Sequence, residues 1–231
     1  MFIDKELIRE KAISLGADAC GFAAVERFAD APAGFKPGDI YEATRSVIVF
    51  LKVIPSEILD CLNPVPYTGT AFLLYQEIDR LGLSLVRFLN TCNIKAVPIP
   101  CDTPYVHWEP EKKRGMGILS MRHAAYMAGL GYLGKSTLLI NPKFGNMVYI
   151  GAVLTGQPFD SDPMLNDSCP QNCRICLDAC PVGALNGETV NQQLCRPESF
   201  YTNERGFTLY DCCNCRKKCP RKNGYHENLQ G

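Results

Sequence analysis

The chain has 231 residues, 46% hydrophobic and 21% charged, with 24 basic side chains balanced by 24 acidic ones. That length holds one sizeable domain and at most a small appendage, the apolar content excludes a disordered chain, and zero net charge excludes a general electrostatic grip on nucleic acid. The amino-terminal MFIDKELIREK has no signal-peptide core and the longest apolar runs, Ser46 to Leu51 and Met147 to Leu154, are too short to span a bilayer, so the expected setting is cytoplasmic, with no membrane partner.

Helical spacing of Leu7, Ile8, Ala12, Ile13 and Leu15 predicts a helix over Asp4 to Gly16. Ala19 to Val25 reads as a buried strand, and Ser46 to Ile54, rich in β-branched residues, as another. A long amphipathic helix is expected over Thr70 to Cys92, interrupted near Gly82. Ile94 to Pro100 follows as a short strand whose prolines suit a sheet edge. Gly117 to Leu130 is helical in composition. Thr137 to Thr155 reads as two strands joined by an Asn-Pro turn and Gly145. Gly156 to Ser168 is a polar linker, and the chain beyond it is short-segmented and punctuated by cysteine. The expected organisation is an α/β body over residues 1–160, a small cysteine-rich domain over 161–224 and a frayed tail over 225–231.

One stretch, GLGYLGKS at Gly129 to Ser136, satisfies two phosphate-binding patterns, G-x-G-x-x-G and G-x-x-x-x-G-K-[ST]. Both need a strand before the loop and a helix after it, so that backbone N–H groups and a helix N-terminus converge on phosphate. Here a helix precedes, TLLI follows, and Asn141-Pro142 stops any helix soon after Ser136. A nucleotide-triphosphatase is therefore disfavoured. The remaining readings are a tightly packed helix-to-strand turn, or glycines that admit another flat or anionic cofactor beside Lys135.

Nine of the thirteen cysteines fall between Cys169 and Cys219. Clustered cysteines without an export signal point to metal rather than disulfides. CPQNCRICLDACP (Cys169 to Pro181) and CCNCRKKCP (Cys212 to Pro220) follow the ferredoxin run C-x₂-C-x₂-C-x₃-C-P, whose fourth cysteine ligates the other cluster. The crossover assigns Cys169, Cys173, Cys176 and Cys219 to one [4Fe–4S] cluster. Cys195, Cys212, Cys215 and Cys180 fall to a second, and Cys213 is left over. Paired structural zinc sites are the alternative, because C-x₂-C also suits tetrahedral zinc. Cys20, Cys61, Cys92 and Cys101 read as small buried apolar residues.

Together with the cysteine region, the segments LGADACGFAAVERF, TRSVIVFLKV and RHAAYMAGLGYLGKSTLLINPKFGNMVYIGAVLT resemble the epoxyqueuosine reductase family, which is related to reductive dehalogenases. The resemblance implies an α+β protein: a mixed-sheet α/β body, nitroreductase- and cobalamin-domain-like, followed by a two-cluster ferredoxin-like domain. It implies a corrinoid held near Gly129, Gly131, Tyr132, Gly134, Lys135 and Ser136, reduced through the clusters by a donor such as a ferredoxin or flavodoxin, with a small-molecule or corrinoid acceptor. Three departures accompany it. The family's acidic proton donor precedes AGLG in V-D-[ST]-A-P, where this chain has KKRGMGILSMR, with Gly115 or a neighbour at the acid's place and no acid available. The helical-repeat extension that helps grip tRNA has no counterpart, and the first cysteine spacing is C-x₃-C. An iron–sulfur reductase not acting on epoxyqueuosine is the first expectation, and a non-catalytic electron carrier its rival.

The segment Cys101 to Gly115 gathers Asp102, Tyr105, His107, Trp108, Glu109 and Glu111, either as a surface loop with an aromatic anchor or as a pocket wall. His123 is read as a hydrogen-bonded helical histidine. The run Arg216 to Lys222 either offsets cluster charge or docks an acidic donor.

Overall fold

The computed structural model describes residues 3–225. Its centre is a four-stranded sheet of β1 (Ala19–Ala24), β2 (Ser46–Val53), β8 (Val148–Thr155) and β3 (Ala96–Ile99), in the order β1-β2-β8-β3. Every pairing in it is antiparallel. The expected mixture of parallel and antiparallel pairing is not found, because no helical crossover links neighbouring strands in the same direction. β3 lies at an edge, as its prolines require.

Both faces of the sheet are covered, which explains why β2 is apolar along its length rather than alternating. Ile48 and Phe50 face helices α1 (Lys5–Ser14) and α3 (Val65–Thr91), against Ile8, Ala12, Ile78, Leu85 and Leu89. Val47, Val49 and Leu51 face α4 (Met121–Met127), against Ala124, Ala125 and Ala128. Helix α1 opens on Asp4, whose carboxylate accepts the Glu6 N–H at 3.2 Å. A short helix, α2 (Pro37–Ile40), joins β1 to β2.

Helix α3 begins five residues before the expected Thr70 and is unbroken over 27 residues. Asn63 Oδ1 takes the Val65 N–H at 2.9 Å, and proline is tolerated in a first helical turn, where its missing N–H has no intrahelical partner to lose. Gly82 does not interrupt the helix. It lies where α3 crosses the sheet, and a Cβ there would stand 3.6 Å from Phe50 and Pro98.

The segment after α4 forms a two-residue hairpin, β6 (Tyr132–Leu133) with β7 (Leu139–Ile140). Thus β7 pairs with β6 while β8 enters the central sheet, and the two expected strands of Thr137 to Thr155 are not partners. The loop after Cys101 also carries a hairpin, β4 (His107–Glu109) with β5 (Arg114–Met116). The polar segment after Thr155 is not loose: it lies along the outer edge of β1. Asp162 N–H donates to the Phe22 carbonyl at 2.9 Å, and Phe22 and Ala24 N–H donate to Asp162 Oδ2 and Ser161 Oγ at 3.0 and 2.8 Å.

The cysteine-rich part contains α5 (Ile175–Asp178), α6 (Gln192–Ser199), the hairpin β9 (Phe200–Thr202) with β10 (Thr208–Tyr210), and α7 (Asn214–Lys217). Tyr225, placed in the frayed tail by its position, is docked, its N–H donating to the Pro142 carbonyl at 2.9 Å. Residues 226–231 of that tail lie outside the described residues. Among the described residues no helix is long and apolar enough to cross a membrane.

Candidate functional site

The two cysteine motifs fold alike. In each, a short helix carries the middle cysteine, Cys176 in α5 and Cys215 in α7. The residue before α5, Arg174, has φ −127° and ψ 5°, and Cys213 before α7 has −133° and 23°. The closing residues agree too, Ala179 at −80° and −7° and Lys218 at −84° and −9°. Two copies of one backbone conformation, with α5 packed against α7, bring thiols from opposite motifs together.

Electrostatic coupling links thiols of the two motifs. Burial raises the Cys176 pKa, and Cys169, Cys219 and Cys173 raise it further. Burial raises Cys219 as well, helped by Cys169 and Cys173. In the second group burial pushes Cys215 up to about 11, with Cys195 and Cys212 adding to it. Cys212 is raised by burial and by Glu198, Cys195 and Cys180. Cys176 is thus coupled to Cys169, Cys173 and Cys219, and Cys212 to Cys180 and Cys195, while Cys215 is coupled to Cys195, Cys212 and Cys176. Cys213 turns away and packs beside Ile54, Leu59, Tyr67, Leu74 and Met147. Among the described residues no three His, Cys, Asp or Glu side chains form a ready single-ion site. Of the four other cysteines Cys20 is buried, Cys92 and Cys101 are half-buried, and Cys61 is exposed, against expectation.

GLGYLGKS runs from the end of α4 into the β6–β7 hairpin, with no helix after it, so the phosphate-loop context is absent. At Gly129 (φ +72°) a Cβ would stand 2.3 Å from the Pro163 carbonyl oxygen, and at Gly131 2.5 Å from that of Ile140. The chain's own backbone fills the space that a side chain would need there. Gly134 lies against the Ile140 side chain, and Tyr132 and Ser136 are buried. Lys135 turns to the first cysteine loop. Its N–H donates to Cys169 Sγ at 3.5 Å, and its Nζ donates to the carbonyls of Pro170, Gln171 and Cys173 at 3.2, 2.6 and 3.0 Å. Lys135 and Tyr132, which accepts from Arg221, tie this loop to the cysteine-rich part. The same lysine borders an open surface groove of about 440 Å³, shared with Gln171, Cys173, Arg174 and Glu188.

The run Arg216 to Lys222 is not a solvated basic face. Arg216 is 8% exposed and points inward. Lys217 Nζ donates to the Leu59 carbonyl at 2.5 Å and lies 3.5 Å from Asp60. Arg221 donates to the Tyr132 hydroxyl at 2.7 Å. Composition marked these residues as basic but carried no sign of which would turn inward.

Gly115 sits in β5, held at both backbone groups by the Gln192 amide at 3.1 and 3.2 Å. A Cβ there would stand 3.0 Å from Arg196 Nη2 and 3.3 Å from the Tyr105 ring. Arg196 lies over the Tyr105 and Trp108 rings at 5.6 and 5.1 Å. A guanidinium thus occupies the space into which an acid at position 115 would project. Asp102 is the nearby acid: burial raises its pKa, against the Tyr105 hydroxyl and Arg196, which lower it. His123 Nδ1 meets Ser120 Oγ at 2.6 Å, the local hydrogen bond expected of it.

No family profile matches the chain. Over 120 residues it is 40% identical to the epoxyqueuosine reductase of Staphylococcus aureus (strain NCTC 8325 / PS 47), covering 47% of this chain and 31% of that protein. An epoxyqueuosine reductase crystallised with an epoxyqueuosine-modified tRNA-Tyr stem loop superposes with TM-score 0.67 at 23% identity, covering 96% of this chain and 66% of that one. A reductive dehalogenase whose structure suggests a mechanism for B12-dependent dehalogenation superposes with TM-score 0.67 at 21% identity, covering 93% and 31%. The chain spans about a third of the length of the curated relatives it matches. Over about half its length the chain is similar in sequence to epoxyqueuosine reductases, of which it spans only part, and it shares its fold with those proteins and with reductive dehalogenases.

Proposed function

We propose that the chain is an iron–sulfur redox protein that passes electrons through two [4Fe–4S] clusters to a small acceptor at the α/β body, and that it does not act on epoxyqueuosine. The observation that supports this reading is the repeat of one backbone turn at Cys176 and Cys215, with electrostatic coupling that links Cys176 to Cys219 and Cys212 to Cys180 across the two motifs. Cys169, Cys173, Cys176 and Cys219 would hold one cluster, and Cys180, Cys195, Cys212 and Cys215 the other. The donor set fits: the sulfurs are thiols, Lys135 and Ala184 N–H groups donate to Cys169 and Cys180 Sγ at 3.5 and 3.2 Å, and the surroundings are half-buried. Bound clusters would supply one-electron transfer, with potentials set by burial, charge and N–H···S bonds.

The chain's own residues hold and separate the two sites. Lys135 clamps the Cys169–Cys173 loop, and the Asn186 side chain, accepting the Glu188 and Thr189 N–H groups at 2.9 and 2.7 Å, shapes the turn after Cys180. Of the six loop residues expected to touch a corrinoid, Gly129, Gly131, Tyr132, Gly134 and Ser136 are packed against protein and Lys135 borders the open groove, and no step runs through such a cofactor. A protein electron donor such as a ferredoxin or flavodoxin remains part of the proposal. The segment without an acid, where Arg196 packs beside Gly115, favours a second reading: a carrier that hands electrons to a partner without catalysing a reaction.

The test is metal and sulfide analysis of protein purified without oxygen, with its visible spectrum. About eight irons and eight sulfides per chain are expected from two four-iron clusters. Stoichiometric zinc in a colourless protein would overturn the reading. Spectral change on adding cobalamin would separate a corrinoid-linked reductase from a carrier.

A further inference from the structure

Arg216 presents a problem of charge. It is 8% exposed, and its guanidinium donates to the Asn146 carbonyl and lies 5.6 Å from the centre of the Tyr149 ring. Its own carbonyl accepts Asn146 Nδ2 at 3.3 Å. No carboxylate stands within ion-pairing distance of it among the described residues. Asn146 Oδ1 beside it is buried without a hydrogen-bond partner among the described residues. A buried cation without an anion is strongly disfavoured. The nearby phenols offer none, since burial pushes Tyr75 and Tyr149 far above their ordinary range and keeps them neutral.

The missing anion is adjacent in the chain. Arg216 follows Cys215, a member of the second thiol group. Four thiolates outweigh the positive charge of a cubane core, so the bound assembly is anionic, and it gains another negative charge on reduction. The first group has cations beside it, Lys135 and Arg221, but neither is fully buried: solvent screens both, and Arg221 is paired with Asp167.

We propose that Arg216 is a buried counter-cation for the second cysteine group, and that it makes the cluster held there the higher-potential one of the two. This rests on the iron–sulfur reading above. Each step is a single electron taken from a low-potential viologen, with no bond made or broken at the protein. A fixed positive charge favours the more anionic, reduced form, so electrons arriving at the first cluster move on to the second.

The experiment is a mediated redox titration of the anaerobic protein, followed by electron paramagnetic resonance and the visible band, for the native chain and three variants. Arg216→Met removes the charge and keeps most of the stem. Arg216→Lys keeps the charge. Asn146→Asp leaves Arg216 in place and supplies the absent carboxylate. Arg216→Met and Asn146→Asp are expected to lower one of the two waves by at least tenfold in its reduction equilibrium, 59 mV for one electron. The other wave should stay in place, and Arg216→Lys should leave both unmoved. If Arg216→Met fails to assemble, Asn146→Asp and Arg216→Lys decide the matter. Unmoved waves, or equal shifts of both, would overturn the proposal while leaving the clusters standing. Native protein with no iron or sulfide would instead remove the iron–sulfur reading itself.

Discussion

Adjacent residues of the same type have opposite fates here. Cys212 faces Cys195 and Cys180, while Cys213 closes an apolar cluster around Met147. Cys212→Ala should therefore lose the share of iron held by one cluster, about four of eight, whereas Cys213→Ala should keep its iron and cost about 1 kcal/mol of packing. Iron per chain, measured on both, separates the two assignments. Lys135 makes a second case. Its ammonium meets three carbonyls of the first cysteine loop, and hydrogen bonds to a charged group are worth about 1.5–3 kcal/mol. Part of that is lost to solvent, because the side chain is only half-buried. Lys135→Met should loosen that loop and speed the loss of the first cluster in air, leaving the second cluster's wave in place. Spacing drew attention to Lys135 through a phosphate-loop pattern that the order of helix and strand around it does not support. The lysine instead binds carbonyl oxygens, which offer the same kind of acceptor to an ammonium donor.

At the scale of elements, two glycines show how much depends on surroundings. Gly69 is exposed in α3 with nothing within 4 Å of a built Cβ. Gly69→Ala should stabilise the protein by about 0.5–1 kcal/mol through lower unfolded-state entropy and better helix propensity. Gly145 has φ +57°, and its Cβ would lie 2.1 Å from the Arg221 carbonyl oxygen. Gly145→Ala should cost about 1–3 kcal/mol from backbone strain and push the segment after Cys219 off the body. Thermal unfolding of both variants, read by circular dichroism, gives opposite signs if these packings hold. The strands and helices were largely legible because burial on one or both faces imposes a period of two or 3.6 on the sequence. The start of α3 was missed because Asn63-Pro64-Val65-Pro66 reads as a breaker, although proline is compatible with a first turn. The hairpin β4–β5 was missed as well: it is short, largely exposed and carries little periodicity.

Across the whole molecule, a few long-range ties hold the body to the segments that lead to and from the cysteines. Asp162 is the most connected, bonded to Lys5 at 2.8 Å, to Arg9 at 3.0 Å and to the Phe22 N–H at 3.0 Å. Burial would raise its carboxyl, but the hydrogen bonds from Lys5 and Arg9 outweigh it and hold the pKa below the ordinary carboxylate value. A group whose folded pKa is depressed contributes stability above its unfolded pKa and loses it as pH falls through the folded value. Asp162→Asn should therefore cost about 1–3 kcal/mol near neutrality. The difference in Tm between native protein and variant should shrink as pH falls below about 4. A difference constant with pH would mean that the side chain acts by shape and not by charge.

By itself the sequence determined what depends on short spacing: the apolar run of β2, the helical period of α3, the edge position of β3, and the repeat of the cysteine motif that gives two like turns. Covalent geometry keeps residues a few positions apart within reach of one another, so their pattern is already a statement about structure. What only the tertiary structure decided involves partners far apart in the chain. It ordered the sheet β1-β2-β8-β3, pressed Pro163 and Ile140 against the loop glycines, and brought Lys135 to Cys169. It also turned Arg216 into the core. Such contacts depend on how whole surfaces pack, and a local motif such as GLGYLGKS is compatible with several of them.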